Sequence, residues 1–228
     1  MFTTSNCSTP RSGDPPVLQT FPRLRVAHRS ATSQIKRLID ILGALVGLIM
    51  TAILAIPIVI AIQIDNPGPI FYRQVRCGLK GKPFRILKFR SMVVGADRMQ
   101  HLVQNQAKGH IFKNTNDPRI TRVGRFLRRT SLDELPQFWN VLKGEMSLVG
   151  TRPPTLNEVQ NYQPHHWKRL RTKPGMTGEW QVHGRSSVID FEDIVSMDLA
   201  YQRKWSVGYD FKLIVKTIAV VLKKQGAY

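Results

Sequence analysis

One uninterrupted apolar segment constrains this 228-residue chain more than any other feature. Between Leu38 and Ile64 there is no Lys or Arg, and the only acidic residue is Asp40, near one edge. As an α-helix these 27 residues would be about 40 Å long, which exceeds the roughly 30 Å hydrocarbon core of a bilayer. The segment starts too far from the N-terminus, and its apolar run is too long, for an ordinary cleaved signal peptide. The sequence therefore predicts a membrane protein.

Two membrane topologies are compatible with this segment. A single spanning helix with a kink at Pro57 is the commoner arrangement, but it would leave one strongly basic flank outside the cytoplasm, against the positive-inside rule. Pro57 has no N–H for the carbonyl of Ile53, and its ring crowds that turn, so the helix is expected to bend or break there. A helix that enters, breaks and returns would keep both flanks in the cytoplasm. The length permits both forms, so these residues alone leave the topology open.

The chain is strongly basic, and this limits its partners. It has 34 Lys and Arg residues against 15 Asp and Glu residues, a formal charge of +19. Such a charge favours nucleic acid, phosphorylated small molecules or anionic lipid, and composition does not choose among them. The 42% of hydrophobic residues excludes a wholly disordered chain. Two distant cysteines, Cys7 and Cys77, exclude a disulfide scaffold and indicate a reducing compartment.

Local patterns divide the chain into three parts: a disordered basic arm (1–34), the membrane segment (35–65) and a cytoplasmic domain (66–228). In the third part, extended segments at Ile70–Arg76 and Phe84–Arg90 predict a β-hairpin. Helical periodicity is present at 95–106, 134–142, 155–167, 191–205 and 210–224. The last of these is amphipathic, and both core packing and a position on anionic lipid explain its pattern.

Asp133 and Glu134 are the first candidates for chemistry. Ser131 and Glu134 have the spacing of a helix capping box, which is a purely structural explanation of the acidic pair. However, five arginines lie just upstream, between Arg119 and Arg129. A solvated basic face usually explains such a run, but carboxylates beside it also suit phosphate chemistry, as a nucleophile or as ligands of Mg2+.

Other basic residues lie in motifs shaped by Pro and Gly or in the predicted hairpin. Each of them alone is most simply a surface residue of a strand or turn. No Walker loop, dinucleotide fingerprint, zinc spacing or Gly-x-Ser-x-Gly motif is present. These further candidates are Lys88, Arg90, Arg152 and Arg185.

Taken together, the motifs from Lys36 to Tyr228 resemble those of the bacterial sugar transferase family, the small monotopic phosphoglycosyl transferases. All of the chain except the N-terminal arm takes part in the resemblance. The matching segments, in order, are 36–40, the Pro-containing apolar segment, 87–92, 119–129, 131–137, 140–150, 152–153, 174–175 and 184–185.

The resemblance implies a reaction. Members of this family transfer a sugar-1-phosphate from a UDP-sugar to a polyprenyl phosphate through an Asp–Glu dyad. Asp133 would attack the β-phosphorus, release UMP and form a covalent phosphosugar intermediate, which undecaprenyl phosphate then attacks. Mg2+ would be the cofactor, held by Asp133 and Glu134. Family positions that bind phosphate are matched by Lys88, Arg128 and Arg152, and a position near the nucleotide is matched by Arg185. We group Arg90 with these residues as a candidate for binding the substrate phosphates or nucleotide.

The resemblance also implies a fold and a location. The expected fold is α+β and mostly helical, a monotopic membrane protein with a re-entrant N-terminal helix broken at Pro57, interfacial amphipathic helices and a small β-hairpin. The expected location is the cytoplasmic face of the bacterial inner membrane, where anionic lipids attract the remaining positive charge. Nucleic acid is not an expected partner, and a homodimer is left open. The rival hypothesis is a non-enzymatic, membrane-tethered basic protein that binds anionic lipid or nucleic acid.

The chain departs from the family pattern at a few positions. Ile56 stands before Pro57 where Ser is frequent, and Glu179 occupies a normally apolar position before Trp180. The first departure bears on the helix break, and the second on the contacts to nucleotide or sugar. Thr151 and Phe138 also differ from the usual Pro and Leu.

Overall fold

The computed structural model describes residues 26–183 and 188–222, and within these ranges the fold is mostly helical. Short 3-10 segments at Leu79–Gly81, Ala96–Leu102, Leu132–Glu134 and His166–Arg171 connect the longer elements. The α-helices are α1 (Arg29–Thr32), α2 (Gln34–Asp65), α3 (Arg122–Arg129), α4 (Gln137–Lys143), α5 (Leu156–Gln160), α6 (Glu179–His183), α7 (Phe191–Lys204) and α8 (Val207–Leu222).

Within the described residues, four strands form two small sheets. Strands β1 (Phe71–Cys77) and β2 (Pro83–Phe89) are antiparallel, and their register runs from Phe71 opposite Phe89 to Cys77 opposite Pro83. This confirms the predicted hairpin. Strands β3 (Ser147–Val149) and β4 (Gly175–Thr177) pair in parallel, which the sequence did not predict, because three-residue strands carry too little alternation to be recognised.

One stripe of α2 packs against the rest of the protein, while the opposite face is exposed and apolar. The buried positions recur at helical spacing, and Thr51 lies between them, donating a hydrogen bond to the carbonyl of Leu135 at 3.3 Å. A 32-residue helix of this composition is long and apolar enough to cross a membrane. The buried residues are Lys36, Asp40, Ala44, Gly47, Ile58 and Ile62.

Both ends of α2 are attached to the same body. At the N-terminal end, the buried Lys36 ammonium donates to the Asp210 carboxylate of α8 and to the carbonyl of Val149 at 3.0 Å. At the C-terminal end, Asp65 accepts a hydrogen bond from the backbone N–H of Val123 in α3 at 2.9 Å. The helix is therefore held to the folded domain along its whole length.

The predicted break at Pro57 is not observed as an interruption, because α2 remains helical from Gln34 to Asp65. Proline removes one N–H and crowds one turn, but a long helix tolerates a single such site when neighbouring turns keep their hydrogen bonds and packing. Here Leu54, Ala55 and Ile58, on either side of Pro57, pack in one cluster with Leu127 of α3.

Other predicted boundaries shift where proline and glycine dominate local geometry. The helix predicted for 134–142 begins at Gln137, after Pro136, and the pattern at 155–167 divides into α5 and a 3-10 segment separated by Pro164. Residues 95–106 form only a 3-10 segment. The helices predicted for 191–205 and 210–224 are confirmed as α7 and α8, although residues 223–224 lie outside the described residues.

The end of the predicted arm also differs from expectation. Residues 1–25 lie outside the described residues, but α1 is a regular helix within the segment predicted to be disordered. Its Arg29 guanidinium donates to the carbonyl of Trp205 at 2.8 Å and lies over the indole ring, 5.4 Å from its centre. This contact with the end of α7 explains the order of the segment.

The close approach of α3 to the hairpin depends on Gly124. A Cβ built at this position would lie 1.9 Å from the backbone carbonyl oxygen of Ser91. A backbone atom cannot rotate away, so Gly124→Ala is expected to displace α3 and to lower the free energy of unfolding by about 3 kcal/mol. Thermal or denaturant unfolding of the detergent-solubilised protein measures this loss.

Gly208→Ala is the matched control for that substitution. A Cβ at Gly208, in α8, would meet only the hydroxyl of Ser206 at 4.0 Å. Because alanine is the better helix former, this variant should match or slightly exceed the parent protein in stability. Equal stabilities for the two variants would contradict the assigned packing of α3 against Ser91.

Candidate active site

The acidic pair lies on a tight connection between α3 and α4. Ser131 has a positive φ of 57°, which is unusual for a non-glycine residue and is a form of strain found often at functional sites. Leu132–Glu134 then form a single 3-10 turn, and the side chain of Ser131 makes no capping hydrogen bond to it. The capping-box explanation of Ser131 and Glu134 is therefore wrong.

Asp133 is buried and lies beside a partly buried arginine. Burial lowers the pKa of Arg128, and the charge of Asp133 is the largest influence that opposes this shift. Arg128 also donates from Nε to the hydroxyl of Ser91 at 2.9 Å. The geometry thus keeps a guanidinium group close to the buried carboxylate.

Glu134 forms an ion pair with Lys88 of β2, with 2.9 Å between Nζ and Oε1. Both side chains are about a quarter exposed, so the pair is accessible from solvent. Lys88 lies directly opposite Tyr72 of β1 in the hairpin register. The hairpin therefore supplies one cation to the dyad, and α3 supplies another.

The same face of the hairpin carries two residues that the sequence did not single out, Tyr72 and Arg76. Paired residues of antiparallel strands point to the same face, and that face repeats every second residue. The hydroxyl of Tyr72 donates to the carboxylate of Asp97 at 3.0 Å. Burial, and to a smaller extent the negative charge of Asp97, raises the pKa of Tyr72 to about 12. The period-2 alternation from Tyr72 to Arg76 was the available signal for both residues.

Arg152 lies on the segment that follows β3 and is held by Glu158 of α5. Its two terminal nitrogens contact the two carboxylate oxygens at 2.7 and 3.3 Å, and its guanidinium lies 5.7 Å from the centre of the Trp180 ring. Burial alone would raise the pKa of Glu158, but the adjacent Arg152 and Arg76 hold it below its usual value. Glu158 and Trp180 thereby hold the guanidinium of Arg152 in place, close to the second cation, Arg76.

The remaining predicted residues are placed differently. Arg90 is buried and donates to the backbone carbonyl of Asn66, so it closes the turn after α2. Burial lowers the pKa of Arg90. Arg185 lies outside the described residues. The structure thus brings Asp133, Glu134, Lys88 and Arg128 together, whereas Arg90 is turned toward the end of the membrane helix.

The dyad has the donor set that Mg2+ takes. Magnesium is usually bound by one or two carboxylates together with water and substrate phosphates. The carboxylate of Asp133 and the second oxygen of Glu134, whose first oxygen contacts Lys88, fit that requirement.

A second group of potential ligands, His165, His166 and Glu192, does not fit a metal ion. His166 accepts a hydrogen bond from the backbone N–H of Gln163 at Nδ1 (3.0 Å), so its Nε2 carries the proton and donates to Glu192 at 2.7 Å. A metal on Nε2 would require an imidazole without either proton. His166 is also buried.

Glu179 is explained by contacts outside the dyad. Its buried carboxylate accepts a hydrogen bond from the hydroxyl of Tyr209 in α8 and lies 2.8 Å from Nδ1 of His183. The contact with Tyr209 fastens α6 to α8, while the contact with His183 lies within α6. Glu179 stands where the family usually has an apolar residue, and Tyr209 and His183 of this chain satisfy its buried carboxylate.

Carboxylates set among lysine and arginine, next to a long apolar helix, are residues of the kind that phosphate-transfer chemistry at a membrane requires. Comparison with known proteins agrees. The signature of the bacterial sugar transferase family matches residues 31–224, and the chain belongs to that family of enzymes.

Three relatives illustrate the range of the match. A galactosyl transferase CpsE of Streptococcus agalactiae is 50% identical over 84% of this chain and 43% of its own length. An undecaprenyl-phosphate galactose phosphotransferase of Salmonella typhimurium is 44% identical over 85% of this chain and 42% of its own length. The chain thus spans less than half of these two relatives. An exopolysaccharide production protein ExoY of Rhizobium meliloti is 36% identical over 97% of this chain and 99% of its own length.

Proposed function

We propose that the protein transfers a sugar-1-phosphate from a UDP-sugar to undecaprenyl phosphate, as the first membrane step of polysaccharide assembly. The observation that carries this proposal is the buried Asp133 beside Arg128, next to a Glu134 that is paired with Lys88. The names of the relatives, which include galactose and glucose phosphotransferases acting on undecaprenyl phosphate, support the substrate classes.

The reaction proceeds in two displacements at phosphorus. A carboxylate oxygen of Asp133 attacks the β-phosphorus of the UDP-sugar, the new O–P bond forms, and the bond to the bridging oxygen breaks as UMP leaves with the electron pair. An oxygen of undecaprenyl phosphate then attacks the same phosphorus and releases the Asp133 carboxylate. Both steps are displacements in which one anion attacks another, and the covalent intermediate divides one difficult reaction into two steps with lower barriers.

The cationic residues make these displacements feasible. Two phosphate substrates and a carboxylate nucleophile repel one another, and Lys88, Arg128 and Arg152 would reduce this repulsion and stabilise charge on the phosphoryl oxygens. Mg2+, held by Asp133 and Glu134, would supply further neutralisation of the diphosphate when bound. Glu134 then keeps Lys88 in place at the edge of the dyad.

The membrane helix fits a one-sided attachment, with both of its ends on the cytoplasmic face, better than a spanning one. Lys36 and Asp65, near its two ends, bind the same folded domain, and its contact stripe covers both halves. The exposed face is apolar, and α3 adds the exposed Phe126 together with exposed arginines at 122, 125 and 129. Such a surface suits an anionic inner leaflet, with the acceptor phosphate at the level of the dyad.

A labelling experiment tests the topology. Cys77 is fully buried and unsuitable as a reporter, so Thr32→Cys and Arg73→Cys, on either side of α2, are each made with Cys7→Ser. A membrane-impermeant thiol reagent should label neither residue in intact cells and both after permeabilisation. Labelling of Thr32→Cys alone in intact cells would show that α2 spans the membrane.

Turnover is tested with purified protein, undecaprenyl phosphate, Mg2+ and a panel of UDP-sugars. UMP should appear with at least one sugar and should require the lipid for multiple turnovers. A folded protein that releases no UMP with any sugar would favour the non-enzymatic, lipid-binding alternative, for which binding weakens steadily with salt.

A further inference from the structure

The end of β1 is joined to the segment that carries Arg152. The backbone N–H of Cys77 donates to the carbonyl of Pro154, and Nη1 of Arg76 donates to the carbonyl of Pro153, both at 2.9 Å. An isolated bridge pairs Arg76 with Thr155. These contacts place the guanidinium of Arg76 next to that of Arg152.

The two guanidinium groups share one carboxylate. Glu158 contacts Arg152 through both of its oxygens, so its charge is already engaged. Burial and then the like charge of Arg152 lower the pKa of Arg76 to about 10. The Nε–H of Arg76 is also buried and has no hydrogen-bond partner. The pair therefore carries an excess positive charge and an unused donor.

Arg76 also lies toward the dyad. The groups that act on it electrostatically come from four places in the fold: Arg152 after β3, Glu158 in α5, Tyr72 in its own strand and Glu134 of the dyad. An anion held between Arg76 and Arg152 would therefore be within electrostatic reach of the residues that perform the transfer.

We propose that Arg76 is a further substrate-binding residue, which together with Arg152 binds a phosphate group of the donor or of the lipid acceptor. This inference rests on the proposed function. Guanidinium groups match phosphate oxygens in planar, two-pronged geometry, and a dianion between two arginines relieves their mutual repulsion. The contact with Pro153 orients Arg76 but leaves its Nε–H and its charge for the ligand.

Two substitutions separate charge from shape. Arg76→Gln keeps a donor for the Pro153 carbonyl but removes the charge. Arg76→Lys keeps a charge whose pKa, at a buried position beside Arg152, is expected to fall toward neutrality. Arg73→Gln and Arg73→Lys are the matched controls, because Arg73 is in the same strand and exposed.

The measured quantities are kcat and KM for UDP-galactose or UDP-glucose and for undecaprenyl phosphate, between about pH 7 and 9. Arg76→Gln should lower kcat/KM for one of the two substrates about 10- to 100-fold, since a hydrogen bond between charged groups is lost. Arg76→Lys should show a KM for that substrate that rises with pH, whereas the parent and the Arg73 variants should not. The affected substrate identifies whose phosphate is bound.

A structural role alone predicts different results. Unchanged KM values for both substrates in Arg76→Gln and Arg76→Lys, without pH dependence, would overturn the proposal. If Arg76→Gln does not fold, the pH profile of Arg76→Lys decides. If the parent protein releases no UMP, binding of inorganic pyrophosphate still tests the proposed phosphate site. Weaker pyrophosphate binding by Arg76→Gln than by Arg73→Gln would support the site, and equal binding would refute it.

Discussion

Asp133→Asn is expected to abolish UMP release while leaving the protein folded and bound to the membrane. Asparagine has the same shape but lacks the charged oxygen that attacks phosphorus, and loss of a nucleophile commonly costs at least about 1,000-fold in rate. The assay follows UMP released from a UDP-sugar with and without undecaprenyl phosphate. Incorporation of labelled sugar-phosphate into the protein, isolated under acidic denaturing conditions, tests the covalent intermediate.

Asp193→Asn provides the control for this experiment. Asp193 is an exposed carboxylate in the first turn of α7, and its replacement changes the net charge equally. The control should keep parent activity and labelling. If Asp133→Asn kept more than about a tenth of the parent activity, Asp133 could not be the nucleophile, because the amide of asparagine cannot take over the attack of the lost carboxylate.

The second large effect is expected for Arg169→Met, which should lower the free energy of unfolding by about 3–5 kcal/mol. Arg169 is fully buried and donates from Nε to Asp198 at 2.7 Å and from Nη1 to the hydroxyl of Tyr162 at 2.6 Å. Removing the cation leaves the carboxylate of Asp198 buried without its counter-charge. Asp198 also accepts a hydrogen bond from the backbone N–H of Arg152, so activity should fall with stability.

Denaturant unfolding compares Arg169→Met with Arg171→Met, whose exposed side chain lies in the same 3-10 segment. The control should lose less than about 0.5 kcal/mol. In the double variant Arg169→Met with Asp198→Leu, both charges are absent, and stability should recover in part because apolar residues can replace a buried ion pair. A single variant as stable as its control would contradict the role assigned to this pair.

Much of the candidate site was predictable from residue types and spacing. Asp133 and Glu134 stand beside an arginine run, and the hairpin that presents Lys88 has clear strand patterns. Arg76 was missed, because its significance depends on Arg152, a residue far away in sequence. Arg90 belongs to the same motif as Lys88, yet it binds the carbonyl of Asn66, a contact no local pattern indicates.

Local patterns alone predicted a membrane segment, a basic surface and an acidic pair suited to phosphate chemistry. These features depend on composition and on short periodicities, which neighbouring residues determine. Tertiary structure decided where α2 is anchored, since Lys36 pairs with Asp210 and Asp65 binds α3. It also decided which cations surround the dyad. Such contacts join segments far apart in the chain, and only the packing of the whole domain makes them favourable.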